Sequence, residues 1–165
     1  MAISNNDRQF LLLCEEVKAM SYDPHRKVGA VVVDANGNVI AGGANAPPPV
    51  FGLSRQETEA AISQDPSWKY FMLEHAERNA IYAARDKGVS LVGATMYGTL
   101  FPCADCARAI VAAGIVKLVV STADSDPRRD EKWRDHYNYA RQIFSMSDVV
   151  VDLAEPTDVL RSKVG

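Results

Sequence analysis

Residues 75–106 constrain the fold more than any other stretch of this 165-residue chain. His75-Ala76-Glu77 and Pro102-Cys103-Ala104-Asp105-Cys106 each open a segment with helical character, and one valine-poor but apolar run, 94–100, lies between them. A strand at 94–100 brings both helix starts to the same sheet edge. In parallel α/β sheets, ligands gather beyond the carboxyl ends of the strands. The stretch therefore predicts an α/β sheet with a site at that edge.

The remaining chain fits this frame. Phe10, Leu13, Cys14, Val17 and Met20 recur at helical spacing and predict a helix over 6–20, capped by Asn6 or Asp7. Residues 27–34 and 39–44 read as a hairpin closed by Ala35-Asn36-Gly37-Asn38. A long connection, 45–74, carries helical pieces near 55–63 and 67–73; a connection of that length in a compact domain is more often functional than idle. Helices follow over 76–87 and 103–113, closed by Gly88 and Gly114. Then come a strand at 116–122, a helix at 131–145 and a strand at 149–153. Strands separated by helices usually lie parallel. The expected architecture is a three-layer α/β/α sandwich on a five-stranded mixed sheet, one domain over 1–165, with the hairpin as its antiparallel part.

The chemistry starts from two cysteines. Cys103 and Cys106 stand three apart on one helix face. A helix N-terminus favours the thiolate that zinc needs. With His75 they make a Cys₂His set, and catalytic zinc sites keep three protein ligands where structural ones usually recruit a fourth. Zinc lowers the pKa of a bound water toward about 7, which permits attack on an electron-poor ring carbon. Glu77, two residues from His75, points to a different helix face and suits general acid/base work better than ligation. A structural zinc clip remains the alternative.

Together the H-x-E and P-C-x-x-C motifs resemble the signature of zinc-dependent deaminases. His75-Ala76-Glu77-Arg78-Asn79-Ala80-Ile81 and Thr99-Leu100-Phe101-Pro102-Cys103-Ala104-Asp105-Cys106-Ala107 are similar to the deoxycytidylate branch of the cytidine and deoxycytidylate deaminase superfamily. So are Val28-Gly29-Ala30-Val31-Val32-Val33 and Ala113-Gly114-Ile115. The resemblance implies hydrolytic loss of ammonia from a cytosine-type ring, with dCMP to dUMP as the leading expectation and a free base, nucleoside or other aminated ring as the alternative. It implies zinc on His75, Cys103 and Cys106, proton transfer by Glu77, and substrate contacts from Asn45, Gly29, Ala30, Phe101 and Pro102. It also implies a homo-oligomer. Asn45 stands between Ala44 and Ala46, where that branch carries an aromatic and a glycine.

Composition narrows the partners. A net charge of −3 lacks the basic footprint of a nucleic-acid binder, so an editing enzyme acting on a flipped base is disfavoured. No apolar run reaches the roughly 18 residues of a membrane span, and no basic-then-apolar leader opens the chain. The cytoplasm is the expected compartment. Three cysteines without a leader argue against a disulfide framework. Cys14 is expected in the core, and His25 and His136 at the surface. Arg128, Arg129, Lys132 and Arg134 read as a solvated helix start, with phosphate binding as the sharper alternative. Trp68, Tyr70 and Phe71 read as core or interface, with a lid contact as the other possibility. A non-catalytic zinc domain is the remaining competitor, which Glu77 argues against. The short Cys103–Cys106 spacing does not fit the deaminases of flavin-precursor synthesis.

Overall fold

In the computed structural model, which describes residues 3–160, five strands form one mixed sheet. They are β1 (Gly29–Val33), β2 (Val39–Ala44), β3 (Thr95–Gly98), β4 (Lys117–Ser121) and β5 (Val150–Ala154), in the order β2-β1-β3-β4-β5. Strand β1 runs against both neighbours, whereas β3, β4 and β5 are parallel. The hairpin thus supplies the antiparallel part of the sheet, as expected, with β1 antiparallel to β3 as well.

Period-2 alternation explains how the sheet is sandwiched. Ala30 and Val32 face one cluster, Val31 and Val33 the other. On the first face lie α4 (Ala76–Asp86), α5 (Ala104–Ala112) and α7 (Arg134–Ser145), through Ala76, Ala80, Ile110 and Phe144. On the second lie α1 (Asn5–Lys18) and α8 (Pro156–Leu160), with Leu11 and Cys14 in contact with the sheet. Strands covered on both faces read as continuous apolar runs, which is why β1 is buried along its whole length. Cys14 is fully buried, as expected.

The boundaries differ where capping chemistry was misread. Ser4, not Asn6 or Asp7, caps α1; Asp7 instead returns a carboxylate to the Ser4 amide in a capping box. The helix expected over 131–145 begins at Arg134, because Asp126 and Pro127 open a separate turn, α6 (Pro127–Asp130), and a 3₁₀ turn (Glu131–Trp133) intervenes. Within the 45–74 connection, α2 (Arg55–Gln64) and α3 (Trp68–Met72) match the expected pieces. The 3₁₀ turn Pro49–Phe51 and helix α8 were not foreseen, although Pro156 at a first helical position is a start signal.

Antiparallel pairing sets the site's location. Ala30 at the start of β1 pairs with Gly98 at the end of β3. The beginning of β1 and the ends of β2 and β3 therefore share one edge. Helix α4 reaches that edge by lying against β2 at Gly43. A Cβ there would stand 2.4 Å from the Ala80 amide and 2.5 Å from the Ala76 carbonyl, both helix backbone. Gly43→Ala is therefore expected to force α4 off the sheet. Overpacking at its upper range costs about 3 kcal/mol, a fall in Tm of roughly 6–12 °C for a chain of this size. Thermal unfolding reads this directly, and an unchanged midpoint would contradict so close a contact.

Candidate active site

Two helix starts meet at this edge. His75 is the N-cap residue of α4 and Cys103 that of α5. Cys103 therefore stands just outside the helix rather than within it. The Cys106 amide donates to the Cys103 sulfur at 3.5 Å, and this turns both sulfurs to the same side. His75 Nδ1 lies 3.5 Å from Cys103 Sγ and 3.5 Å from Cys106 Sγ. All three candidate ligand atoms fall within 4.8 Å of one another. Zinc at about 2.3 Å from sulfur and 2.0–2.1 Å from nitrogen, with tetrahedral angles, requires a sulfur–nitrogen separation of about 3.5–3.6 Å. The donor set fits zinc in identity and spacing.

The electrostatics follow from burial beside a helix start. Hydrogen bonding from Cys106, reinforced by the His75 imidazole, holds the Cys103 thiol down at about 3. Cys106 is pushed up by its hydrogen bond with Cys103 and by burial. Burial disfavours a charged His75, but its bond to Cys103 and the charge of Glu77 outweigh this and raise its pKa. Glu77 is 5% exposed, and burial pushes its carboxyl up. Its Oε2 lies 3.6 Å from Cys106 Sγ, yet the carboxylate is not part of the ligand cluster.

Backbone ties that sequence reasoning missed fix the entry to α4. Glu74 Oε1 accepts the His75 amide at 2.9 Å and Arg78 Nε at 2.6 Å. Glu74 and Ala46 exchange two backbone hydrogen bonds, and Asn79 Nδ2 donates to the Ala44 carbonyl at 2.8 Å. His75 is thus pinned to the end of β2. The Glu74/Arg78 pair carried a sequence signal, opposite charges four apart; Asn79 carried none.

A cavity of about 390 Å³ opens above this centre, with His75, Glu77 and Cys103 at its base. Val28, Asn45 and Phe101 line one side. Of the expected substrate contacts, Asn45 and Phe101 therefore reach the cavity, whereas Gly29, Ala30 and Pro102 do not line it. Gly29 and Ala30 are already inside the sheet: the Gly29 amide donates to Thr99 Oγ1, and its missing Cβ faces the α1 carbonyl of Cys14. Val28 takes their place on the wall. Pro102 precedes the N-cap and is buried behind the cysteines. The Asn45 amide is largely committed. Its Oδ1 accepts from Ser21 Oγ and the Val28 amide, and its Nδ2 donates to the Arg26 carbonyl.

The opposite side comes from segments the sequence left ambiguous. Tyr70 and Lys69 of α3 line the cavity, but Phe71 is 84% exposed and is neither core nor lid. Arg129, Lys132, Trp133 and Tyr137 line it from the 127–137 stretch. The basic cluster therefore divides, since Arg128 and Arg134 stay outside. His25 is exposed yet borders the mouth, and His136 packs behind Trp133 with ring centroids 5.3 Å apart. Two of the cations are paired: Lys69 with Asp23 at 2.8 Å, and Arg26 with Asp130 at 2.7 Å. Arg129 is 3.8 Å from Asp126. Lys132 contacts the Tyr70 hydroxyl and no carboxylate among the described residues.

Residues 4–122 match the family model described as the cytidine and deoxycytidylate deaminase zinc-binding region. An uncharacterised deaminase from the luxG 3′ region of Aliivibrio fischeri is 32% identical over 160 residues, covering 96% of this chain and 99% of its own. Human deoxycytidylate deaminase is 32% identical over 129 residues, 78% of this chain and 68% of its own. The dCMP deaminase of cyanophage S-TIM5, solved in complex with dCMP and dUMP, superposes with a TM-score of 0.67 at 23% identity, over 92% of this chain and 98% of that one. That last likeness concerns the fold.

Proposed function

Because the chain belongs to the cytidine and deoxycytidylate deaminase family, whose members carry out zinc-dependent hydrolytic C–N deamination, we propose that it converts dCMP to dUMP and ammonia. The observation that carries this reading is the polarity of the cavity. A Cys₂His centre with a buried carboxylate lies at its base, and Arg129 and Lys132 stand at its mouth. A pyrimidine at the base and a phosphate at the mouth satisfy both ends. Ammonium or guanidinium groups without a tight carboxylate partner suit a phosphate.

His75, Cys103 and Cys106 hold the zinc in this reading, which supplies an activated water when bound. Glu77 would take a proton from water and hand it to the ring nitrogen as the water oxygen adds to the amine-bearing carbon. It would then carry the proton of the new hydroxyl to the amine, so that the C–N bond breaks, a carbonyl forms and ammonia departs. Burial pushes its carboxyl up, the direction a proton carrier needs. Phe101 and Val28 border the ring. The Asn45 amide is largely taken up by Ser21, Val28 and Arg26, which supports a second reading: a free base or other aminated ring that needs no sugar contact.

No helix among the described residues is long and apolar enough to cross a membrane. The exposed side chains of Val50, Phe51 and Phe71 support a homo-oligomer.

Ammonia release by the zinc-loaded protein from dCMP, CMP, deoxycytidine, cytidine and cytosine tests the substrate. We expect dCMP to have the highest kcat/KM. Lys132→Ala should lower it by about 10- to 100-fold for dCMP, the loss of one charged hydrogen bond, and leave deoxycytidine unaffected. Turnover of cytosine with dCMP inert would replace the nucleotide reading with the second one.

A further inference from the structure

A sugar that leaves water for a cavity needs a partner for its free hydroxyl, because a buried polar group without one is costly. Asn45 is the residue expected to meet the substrate, yet its side chain is already engaged. Its Oδ1 accepts from Ser21 Oγ and the Val28 amide, and its Nδ2 donates to the Arg26 carbonyl. Lys69 is held by Asp23, and Arg26 by Asp130. Only Tyr70 and Tyr137 bring hydroxyl groups to the cavity lining. The Tyr70 hydroxyl is taken by Lys132.

Tyr137, near the start of α7, is different. Its ring stands edge-on to Phe101, with centroids 5.8 Å apart and planes at 89°. Phe101 is itself held edge-on by Phe144 at 6.3 Å, with the Arg141 guanidinium 4.9 Å from its ring centroid. The phenol is therefore aimed by packing. Its hydroxyl ends 3.5 Å from Asp130 Oδ1. Hydrogen bonds between oxygens ordinarily span about 2.5–3.0 Å, so this one is weak. Asp130 is not free to close the gap: Oδ1 accepts Arg26 Nη2 at 2.7 Å, and Oδ2 accepts the Asp126 amide at 2.9 Å. Burial and the Asp130 charge push the Tyr137 phenol up to about 12, so it stays an O–H group able to donate and to accept. Phe101 borders the metal centre, whereas Asp130 follows Arg129 of the cavity mouth. The Tyr137 side chain touches both, so its hydroxyl lies between the two levels.

We propose that Tyr137 is a specificity-determining residue that reads the sugar: its hydroxyl exchanges the long contact with Asp130 for a hydrogen bond to the 3′-hydroxyl of the bound nucleotide. The inference rests on the dCMP reading of this site and deepens it. With a pyrimidine at the base and a phosphate at the mouth, the level between them belongs to the sugar, and the deoxyribose of dCMP carries one free hydroxyl, at 3′. Sugar recognition then lies on α7 rather than at the end of β2, where the Asn45 amide is bound up in holding residues 21–28 together.

Zinc-loaded Tyr137→Phe, which loses only the hydroxyl, is compared with the parent protein on three substrates: dCMP, 2′,3′-dideoxycytidine monophosphate and cytosine. The second lacks only the 3′-hydroxyl, and the third lacks the sugar. We expect the parent to favour dCMP over the dideoxy nucleotide in kcat/KM by about 2- to 12-fold, the worth of one neutral hydrogen bond. Tyr137→Phe should lower kcat/KM for dCMP by the same factor and leave the other two substrates unchanged, so that it no longer tells the two nucleotides apart. An unchanged rate on dCMP, or an equal loss on both nucleotides, overturns the proposal and leaves the dCMP reading standing. Should Tyr137→Phe lose its zinc or its fold, the parent decides: equal kcat/KM on the two nucleotides overturns the proposal. Turnover of cytosine with both nucleotides inert overturns the dCMP reading and the proposal together, and turnover of none of the three refutes the deaminase reading as well.

Discussion

Glu77→Gln is expected to leave a folded, zinc-loaded protein whose kcat is lower by about 10²- to 10⁴-fold, the usual worth of general acid/base catalysis and about 3–5 kcal/mol in barrier height. The substitution keeps the shape of the side chain and removes only its ability to exchange a proton. Glu77 is buried, and burial already disfavours its charge, so a neutral amide sits there without a new desolvation cost. The sign of the linkage follows. A carboxyl whose folded pKa lies above its unfolded value costs stability as pH rises through and beyond the unfolded value. Replacing it with Gln should therefore not lower the Tm of the zinc-free protein at neutral pH. Zinc content, Tm and initial rates together check this. A variant with near-normal turnover would remove Glu77 from proton transfer.

What the sequence disclosed depended on whether the signal was local. The ligand set was legible because each member is fixed by a helix start: His75 and Cys103 are both N-caps, and the Cys106 amide turns the second sulfur toward the first. The sheet was legible because strands buried on both faces leave unbroken apolar runs, as in β1. The pocket walls were not legible in the same way. Gly29 and Ala30 stand beside the site in sequence, but the pairing of β1 with β3 draws them into the sheet and leaves Val28 on the wall. Residues 126–134 read as an interleaved, solvated charge run. Only the fold shows that Arg26 takes Asp130, from 104 positions away, leaving Lys132 facing the cavity without a carboxylate among the described residues. Periodicity is blind to such a pairing, because the partner's identity depends on three-dimensional placement alone. Trp133 escaped for the same reason, and Tyr70 was legible only as core, interface or lid contact: the two meet across the cavity mouth from distant segments.

His75→Ala is expected to lose zinc and activity together. The three donors converge with His75 Nδ1 equidistant, at 3.5 Å, from both sulfurs, so this one substitution removes a whole vertex of the site. Two buried cysteines would remain, with Glu77 beside Cys106 but outside the three-residue ligand cluster. Affinity should fall by well over the roughly 10- to 100-fold that loss of an outer-shell partner costs. Metal analysis after dialysis against a weak chelator should find the variant essentially without zinc while the parent protein retains it. Metal binding contributes directly to folding free energy where ligands come from separate elements, as they do here from the starts of α4 and α5. The variant's Tm should therefore fall toward that of the chelator-stripped parent, and stripping the variant should change it little. Glu77→Gln separates from this outcome by keeping the zinc. A His75→Ala protein that deaminates at the parent's rate with no bound metal would contradict the zinc chemistry itself, whatever the substrate proves to be.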